Sequence, residues 1–408
     1  MDTVTRRRFL IRSGVVGGAA LAAGATAYTL KDILQTAGER PSQAQTLVVV
    51  TLYGGNDGLN TVIPHADPAY QAARPELAYN AGEVLKLDDS TGLNPAMKGL
   101  HGLFGQNKVA IVRGVGYPQA DRSHFRSMDI WHTAQPARPG TTGWLGRWLD
   151  AVGGDPRLAV SFENVLPPLL AGVSSAGAVV GVNGMKLPRG VPMDTVSALG
   201  QPVAGEPPLQ ARAAACYSDL VRVDELVNDV KETADAATDP TDETPKATGT
   251  GGQSALQAQL NLVAQCIEAK VATRAFSVSL GGFDTHADEK QPHQALLGIL
   301  DKAVTAFLAR VSNHDVVVLI YSEFGRRVKA NASDGTDHGT ASNVFIAGKG
   351  VQGGLFGAQP SLTDLDNGDL KFAVDFRDIY ATMLEQVLAA DAARILDNWQ
   401  GRFKGPLT

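Results

Sequence analysis

Five short runs of β-branched and apolar residues, each too brief for a helix and each bounded by Gly, Asn or Asp, constrain this chain most: Leu47 to Leu52, Val109 to Val115, Phe276 to Leu280, Val316 to Tyr321 and Val344 to Ala347. A run that stays apolar without alternation suits a strand covered on both faces, and sheets covered on both faces are mostly parallel. Helical patterns lie between some of the runs. The clearest spans Pro292 to Val311, where Leu296, Leu297, Leu300, Val304, Phe307, Leu308 and Val311 recur at three- and four-residue spacing, the rhythm of one buried helix face. Strands alternating with helices predict an α/β fold, a mostly parallel sheet sandwiched between helices. Trp131, Trp144 and Trp148 lie on an apolar helical stretch and read as core.

The N-terminus has a different character. Thr5 to Leu10 read T-R-R-R-F-L, followed by a small-residue, weakly apolar stretch from about Gly14 to Leu30. This is the layout of a twin-arginine signal peptide, expected over residues 1–44, with cleavage after Ala27 or after Ala44. It implies the twin-arginine translocase as a partner during export and a periplasmic or extracellular destination. The remainder, 45–408, is long enough for a large α/β domain. Within it, 156–253 reads as an insertion or cap that includes a mobile surface loop at 232–253, which is dense in Asp, Thr, Pro, Ala and Gly. A formal charge of -6, with no basic block after the signal, excludes a nucleic-acid-binding surface. Cys216 and Cys266 are the only cysteines. They exclude a thiolate zinc site and leave either one bridge or two buried thiols.

Four of the strand runs pass directly into loops that carry carboxylates, imidazoles or hydroxyls. Tyr53 to Asn60 read Y-G-G-N-D-G-L-N, Gly116 to Phe125 G-Y-P-Q-A-D-R-S-H-F, Gly281 to His286 G-G-F-D-T-H, and Ser322 to Arg327 S-E-F-G-R-R. Ligands of open α/β sheets bind at the carboxyl ends of the strands, so these groups are expected to converge. The candidates are Asp57, Ser123, His124, Asp284, His286, Glu323, Asp337 and His338. Carboxylates and imidazoles without thiolates suit zinc, manganese or iron, and with more oxygen ligands magnesium or calcium. Five of these positions also fit ordinary structural roles: Asp57 an Asx-turn, Ser123 a helix N-cap, Asp284 and His286 a cap and surface of the following helix, and Glu323 an ion pair with Arg326 or Arg327. His65, His101, His132, His293 and His314 match no motif and read as surface or hydrogen-bonded structural residues.

G-G-N-D-G-L-N, D-R-S-H-F, G-G-F-D-T-H, S-E-F-G-R and the stretch from Asp337 to Gly354 occur in this order. Together they resemble the secreted bacterial family known as domain of unknown function 1501, over about Thr46 to Leu396. That family is in turn similar to the alkaline phosphatase and sulfatase superfamily. The resemblance implies an alkaline phosphatase-like fold, a divalent metal centre (zinc, manganese, magnesium or calcium), and hydrolysis or transfer at phosphate or sulfate esters, small or envelope-derived, including glycan or phospho-substrates. It places metal ligands at Asp57, Asp284, His286, Glu323 and His338 and the nucleophile at Ser123, with His124 and Arg122 as further catalytic candidates and Arg326 or Arg327 as alternatives to Arg122 for holding the ester oxygens. The chain departs from the superfamily in two places. Only Thr285 separates Asp284 from His286, and Glu323-Phe324 stands where an Asp-His dipeptide is expected, an imidazole that His124 is placed to supply. The second departure favours an alternative, a non-catalytic relative serving in binding or assembly at the cell envelope.

Overall fold

The computed structural model describes residues 28, 30–41, 44–163, 165–180 and 256–407. Its main sheet has nine strands: β1 (Thr46–Leu52), β2 (Val109–Gly116), β3 (Ala159–Ser161), β4 (Ala178–Val179), β5 (Ala275–Leu280), β6 (Val316–Ser322), β7 (Ser342–Gly348), β8 (Gly354–Phe356) and β9 (Val374–Asp375). Their order is β8-β2-β7-β6-β1-β5-β3-β4, with β9 also on β2. Only the pairings of β7, with β2 and with β6, are antiparallel; every other pairing is parallel. The five strands expected from the sequence are present, with ends displaced by no more than two residues.

Residue parity sorts the side chains onto two faces, because successive residues of a strand point to opposite sides of the sheet. From β1, Val48, Val50 and Leu52 join one apolar cluster, and Leu47 and Val49 the other. From β6, Val318 and Ile320 go to the first face, Val317, Leu319 and Tyr321 to the second. Three helices cover the first face: α1 (Lys98–Gly105), α4 (Leu256–Glu268) and α5 (Lys290–Arg310), through Leu100, Leu260, Val263, Leu297, Leu300, Val304 and Phe307. Helices α2 (His124–Thr133), α3 (Trp144–Ala151) and α6 (Phe376–Thr382) cover the second, with Trp131, Trp144, Trp148, Ile379 and Tyr380. The tryptophans are 0–2 % exposed, as a core reading requires.

Two expected boundaries move. Residues 156–180 do not begin a separate cap, because β3 and β4 extend the central sheet beyond β5. Strands of three and two residues are too short to leave a periodic signal. Nor does the fold begin at 45. Leu30 and Ile33, on a helical turn at Leu30–Leu34, are buried in the first core layer, and Tyr28 donates its N–H to the Val179 carbonyl. The expected loop at 232–253, Cys216 and residues 1–27 lie outside the described residues; Cys266 is buried on α4. Among the described residues no helix is long and apolar enough to cross a membrane.

Candidate metal centre

In-register pairing brings the ends of three strands level. Leu52 of β1 lies opposite Leu280 of β5 and Ser322 of β6, so the loops at 53–57, 281–286 and 323–327 leave the sheet side by side. Helix α2 starts close to the same edge, delivering His124. Because β7 runs the other way, its beginning lies at this edge, and the residue it contributes, His338, precedes the strand. The loops after β6 and before β7 are joined by an Arg326–His338 bridge. Close approach of the first two loops needs Gly54, and that of the Phe324 ring needs Gly55. Gly54 and Gly55 have φ of +115° and +72°, and a Cβ on Gly54 would stand 2.5 Å from the Asp284 nitrogen.

The three imidazoles meet on one carboxylate oxygen. Asp284 Oδ1 lies 2.9 Å from His286 Nε2, 3.2 Å from His338 Nε2 and 3.3 Å from His124 Nε2. His286 Nε2 and His338 Nε2 are 3.0 Å apart. The other ring nitrogens face oxygens: His124 Nδ1 is 2.8 Å from Glu323 Oε1, His338 Nδ1 2.8 Å from the Arg122 carbonyl, and His286 Nδ1 3.6 Å from Asp337 Oδ1. For His124 and His338 the oxygen bonded at Nδ1 fixes ring orientation and turns Nε2 inward, as outer partners of metal-binding histidines do, whereas the 3.6 Å at His286 is too long for such a bond. The Phe324 ring packs against both His124 and His338, each with centroids 4.9 Å away. An aromatic support thus occupies the place where an imidazole was expected, and His124 enters from α2.

The fit to a cation can be tested on distances. Donors held about 2.0–2.2 Å from a tetrahedral ion stand about 3.4 Å from one another. Donor atoms of His124, Asp284 and His338 all lie within 4.8 Å of each other. His124 Nε2 is buried, makes no well-formed hydrogen bond and is turned toward Asp284 Oδ1 3.3 Å away, so a cation replacing its proton would meet an inward-facing donor. Burial works against a charge on His124, but Asp284 and Glu323 outweigh it and push the imidazole up to about 9. Burial also opposes ionisation of Asp284, yet His124, His338 and Arg326 hold its carboxyl well below the usual carboxylate range.

The remaining candidates fall around this cluster. Glu323 is buried and accepts from the Gly54 N–H and the Ser322 hydroxyl as well as facing His124. Arg326 is buried too, and its guanidinium donates to the carbonyls of Gly54, Gly55, Phe283 and Thr336 and to Asp284 Oδ1. The loops after β1 and β5 and the one before β7 are thereby tied to one cation. Ser123 is the N-cap residue of α2; it is exposed and makes no side-chain cap bond. Arg122 and Arg327 both pair with the buried Asp369.

Asp57 stands apart from the cluster. One oxygen accepts from the Leu59 N–H at 3.2 Å, capping the turn at Gly58–Thr61, and the other takes Arg74 Nη1 at 2.5 Å. Both members of that ion pair are fully buried. Beside them are Glu289 and His293, which no motif singled out: Glu289 precedes α5 and His293 bonds Asn56 Oδ1 at 2.9 Å. Burial pushes His293 down to about 4 and His132 to about 3, in keeping with structural roles. Burial and the Asp57 charge push Glu289 up to about 9, so it keeps its proton at neutral pH. The folded state then holds a proton that the unfolded chain releases near pH 4.5. Its stabilising effect is full below that pH and is lost as pH rises to about 9, by up to roughly 1.4 kcal/mol per pH unit. Glu289→Gln should therefore match the wild-type melting temperature at pH 5 and exceed it at pH 9. Parallel melting curves for the two proteins from pH 5 to 9 would show that Glu289 is ionised in the fold.

Fold and site together define an α/β protein with a histidine–carboxylate cluster at the carboxyl edge of a mostly parallel sheet. The chain belongs to the family described as "Protein of unknown function (DUF1501)", which matches residues 113–406. No curated protein matches it. Among solved structures it is similar to a protein in the alkaline phosphatase superfamily from Vibrio parahaemolyticus, with 11 % identity, a TM-score of 0.42, and coverage of 93 % of this chain and 75 % of that one. It is similar also to the C-terminal periplasmic domain of EptC from Escherichia coli, in complex with zinc, with 8 % identity, a TM-score of 0.37, and coverage of 76 % and 75 %. A third is the lipoteichoic acid synthase LtaP from Listeria monocytogenes, with 11 % identity, a TM-score of 0.37, and coverage of 89 % and 78 %.

Proposed function

We propose that this chain is an exported, metal-dependent hydrolase or transferase acting on phosphate or sulfate esters, with one divalent ion held by His124, Asp284, His338 and, from the open side, His286. The observation that carries the reading is the convergence of three imidazoles, two of them oriented through Nδ1, on Asp284 Oδ1. So imidazole-rich a set suits zinc, manganese or iron better than magnesium or calcium, which prefer oxygen donors. In this reading Glu323 orients His124, and Asp57 braces the β1 loop through Arg74.

A bound divalent ion would supply Lewis acidity toward an ester oxygen and lower the pKa of a nearby hydroxyl. Ser123, exposed immediately before His124, is the nucleophile, and the backbone N–H groups at the start of α2 face the anion. Arg326 is fully engaged inside the fold, which leaves Arg122 and Arg327, both partly exposed and both paired with Asp369, to exchange that carboxylate for ester oxygens. Cleavage of the signal after Ala27 would keep the buried helical turn at Leu30–Leu34, whereas cleavage after Ala44 would remove it.

Metal analysis of the purified protein followed by a panel of phosphate monoesters, diesters and sulfate esters tests the proposal. Ser123→Ala should lower turnover by at least about 10³-fold with metal content unchanged. Metal-loaded protein that turns over no ester in the panel would favour the non-catalytic envelope role, for which Asp57 speaks, its carboxylate being committed to Arg74.

A further inference from the structure

Beside the histidine cluster lies a cavity of about 900 Å³. Arg122 and Glu323 belong to its wall, and the same residues hold His338 Nδ1 and His124 Nδ1, so the cavity adjoins the cluster. The cations of the wall are already neutralised: Arg122 pairs with Asp369 and Lys371 with Asp364. Counting formal charges, Arg122 and Lys371 face Asp121, Glu323, Asp366 and Asp369, two cations against four carboxylates. A second anionic group on a ligand would meet repulsion there. The wall does offer hydrogen bonds, from the amides of Gln119 and Asn367 and the carboxylates of Asp121 and Asp366. The indole N–H of Trp131, in the same wall, has no acceptor among the described residues. Phe372, 40 % exposed, adds a ring face.

Carboxylates accept from hydroxyls, amides both donate and accept, and an exposed aromatic ring covers the C–H face of a saturated ring. A cavity of this size also suits a ligand larger than a small amine headgroup. We propose that the cavity binds the uncharged, hydroxyl-rich part of the substrate, a sugar unit whose anionic ester group reaches the histidine cluster. This rests on the ester reading given above.

Calorimetric titration of the metal-loaded full chain tests it, using hexose and N-acetylhexosamine 6-phosphates, the matching methyl glycosides, inorganic phosphate and phosphoethanolamine. At least one sugar phosphate should bind about tenfold more tightly than inorganic phosphate and than phosphoethanolamine. Phe372→Ala should abolish that advantage and leave inorganic phosphate binding unchanged; Asp366→Ala, also on the exposed loop, should reduce it. If the ester reading alone is wrong, phosphate groups will add nothing, but a methyl glycoside will still bind and lose affinity in Phe372→Ala. Failure of every sugar phosphate and glycoside to exceed inorganic phosphate overturns the assignment, as does an advantage that survives Phe372→Ala. Tighter binding of phosphoethanolamine would assign the cavity to a cationic group and overturn it equally.

Discussion

Asp284→Ala is expected to lower affinity for the divalent ion by about 10²-fold or more, beyond the loss usual for an outer partner of a ligand. Asp284 Oδ1 is the common neighbour of His124, His286 and His338, so its removal takes away the anionic donor that the described residues place at their meeting point. The loss has a second component. Arg326 Nη2 also rests on that oxygen, at 2.8 Å, and without the carboxylate its buried positive charge would face an incoming cation uncompensated. Asp284→Asn, which keeps the shape and discards the charge, should behave nearly as badly. Elemental analysis after dialysis against a metal buffer reads the result, with His314→Ala as a control away from the cluster. Unchanged metal content in Asp284→Ala would remove this residue from the ligand set.

Arg326→Met should destabilise the fold by about 3–5 kcal/mol, the range for removing one partner of a buried charged pair. The guanidinium is fully buried, and its loss would leave the carbonyls of Gly54, Gly55 and Thr336 without this donor and take one donor from the Phe283 carbonyl and from Asp284. Lysine is no substitute, since a single ammonium cannot span the directions that the planar fork reaches. Arg327→Ala offers the contrast. Its side chain is one-third exposed, and its removal should cost no more than about 1 kcal/mol. Urea denaturation of both variants decides between them. An Arg326→Met protein within about 1 kcal/mol of wild type would mean that the loops hold their positions without the central cation.

Glu323 and Asp57 show where reading a sequence stops. Both follow buried strands, and both are carboxylates in a glycine-containing loop, so nothing local separates them from Asp284. Their roles differ because of what lies across the fold: Arg74, seventeen positions beyond Asp57, takes up its charge, and His124, on a different helix, takes up that of Glu323. Arg326 looked like a surface clamp for a substrate and is instead an interior tie. Glu289, His293 and Asp369 carried no motif, since a buried polar residue announces itself only through partners that are distant in sequence. Residues 156–180 escaped notice as strands because two or three residues are too few to establish a period.

The sequence by itself determined the α/β class, the five main strands, the long helix α5 and the loops in which the chemistry lies, because burial on both faces and the helical repeat are local patterns of apolar residues. Tertiary structure alone decided which carboxylate meets the imidazoles, that His124 lies between Glu323 and Asp284, and that His338 arrives ahead of an antiparallel strand. Those outcomes depend on strand order, register and direction. Hydrogen bonds between segments far apart in the chain fix all three, and no local pattern of residues encodes them.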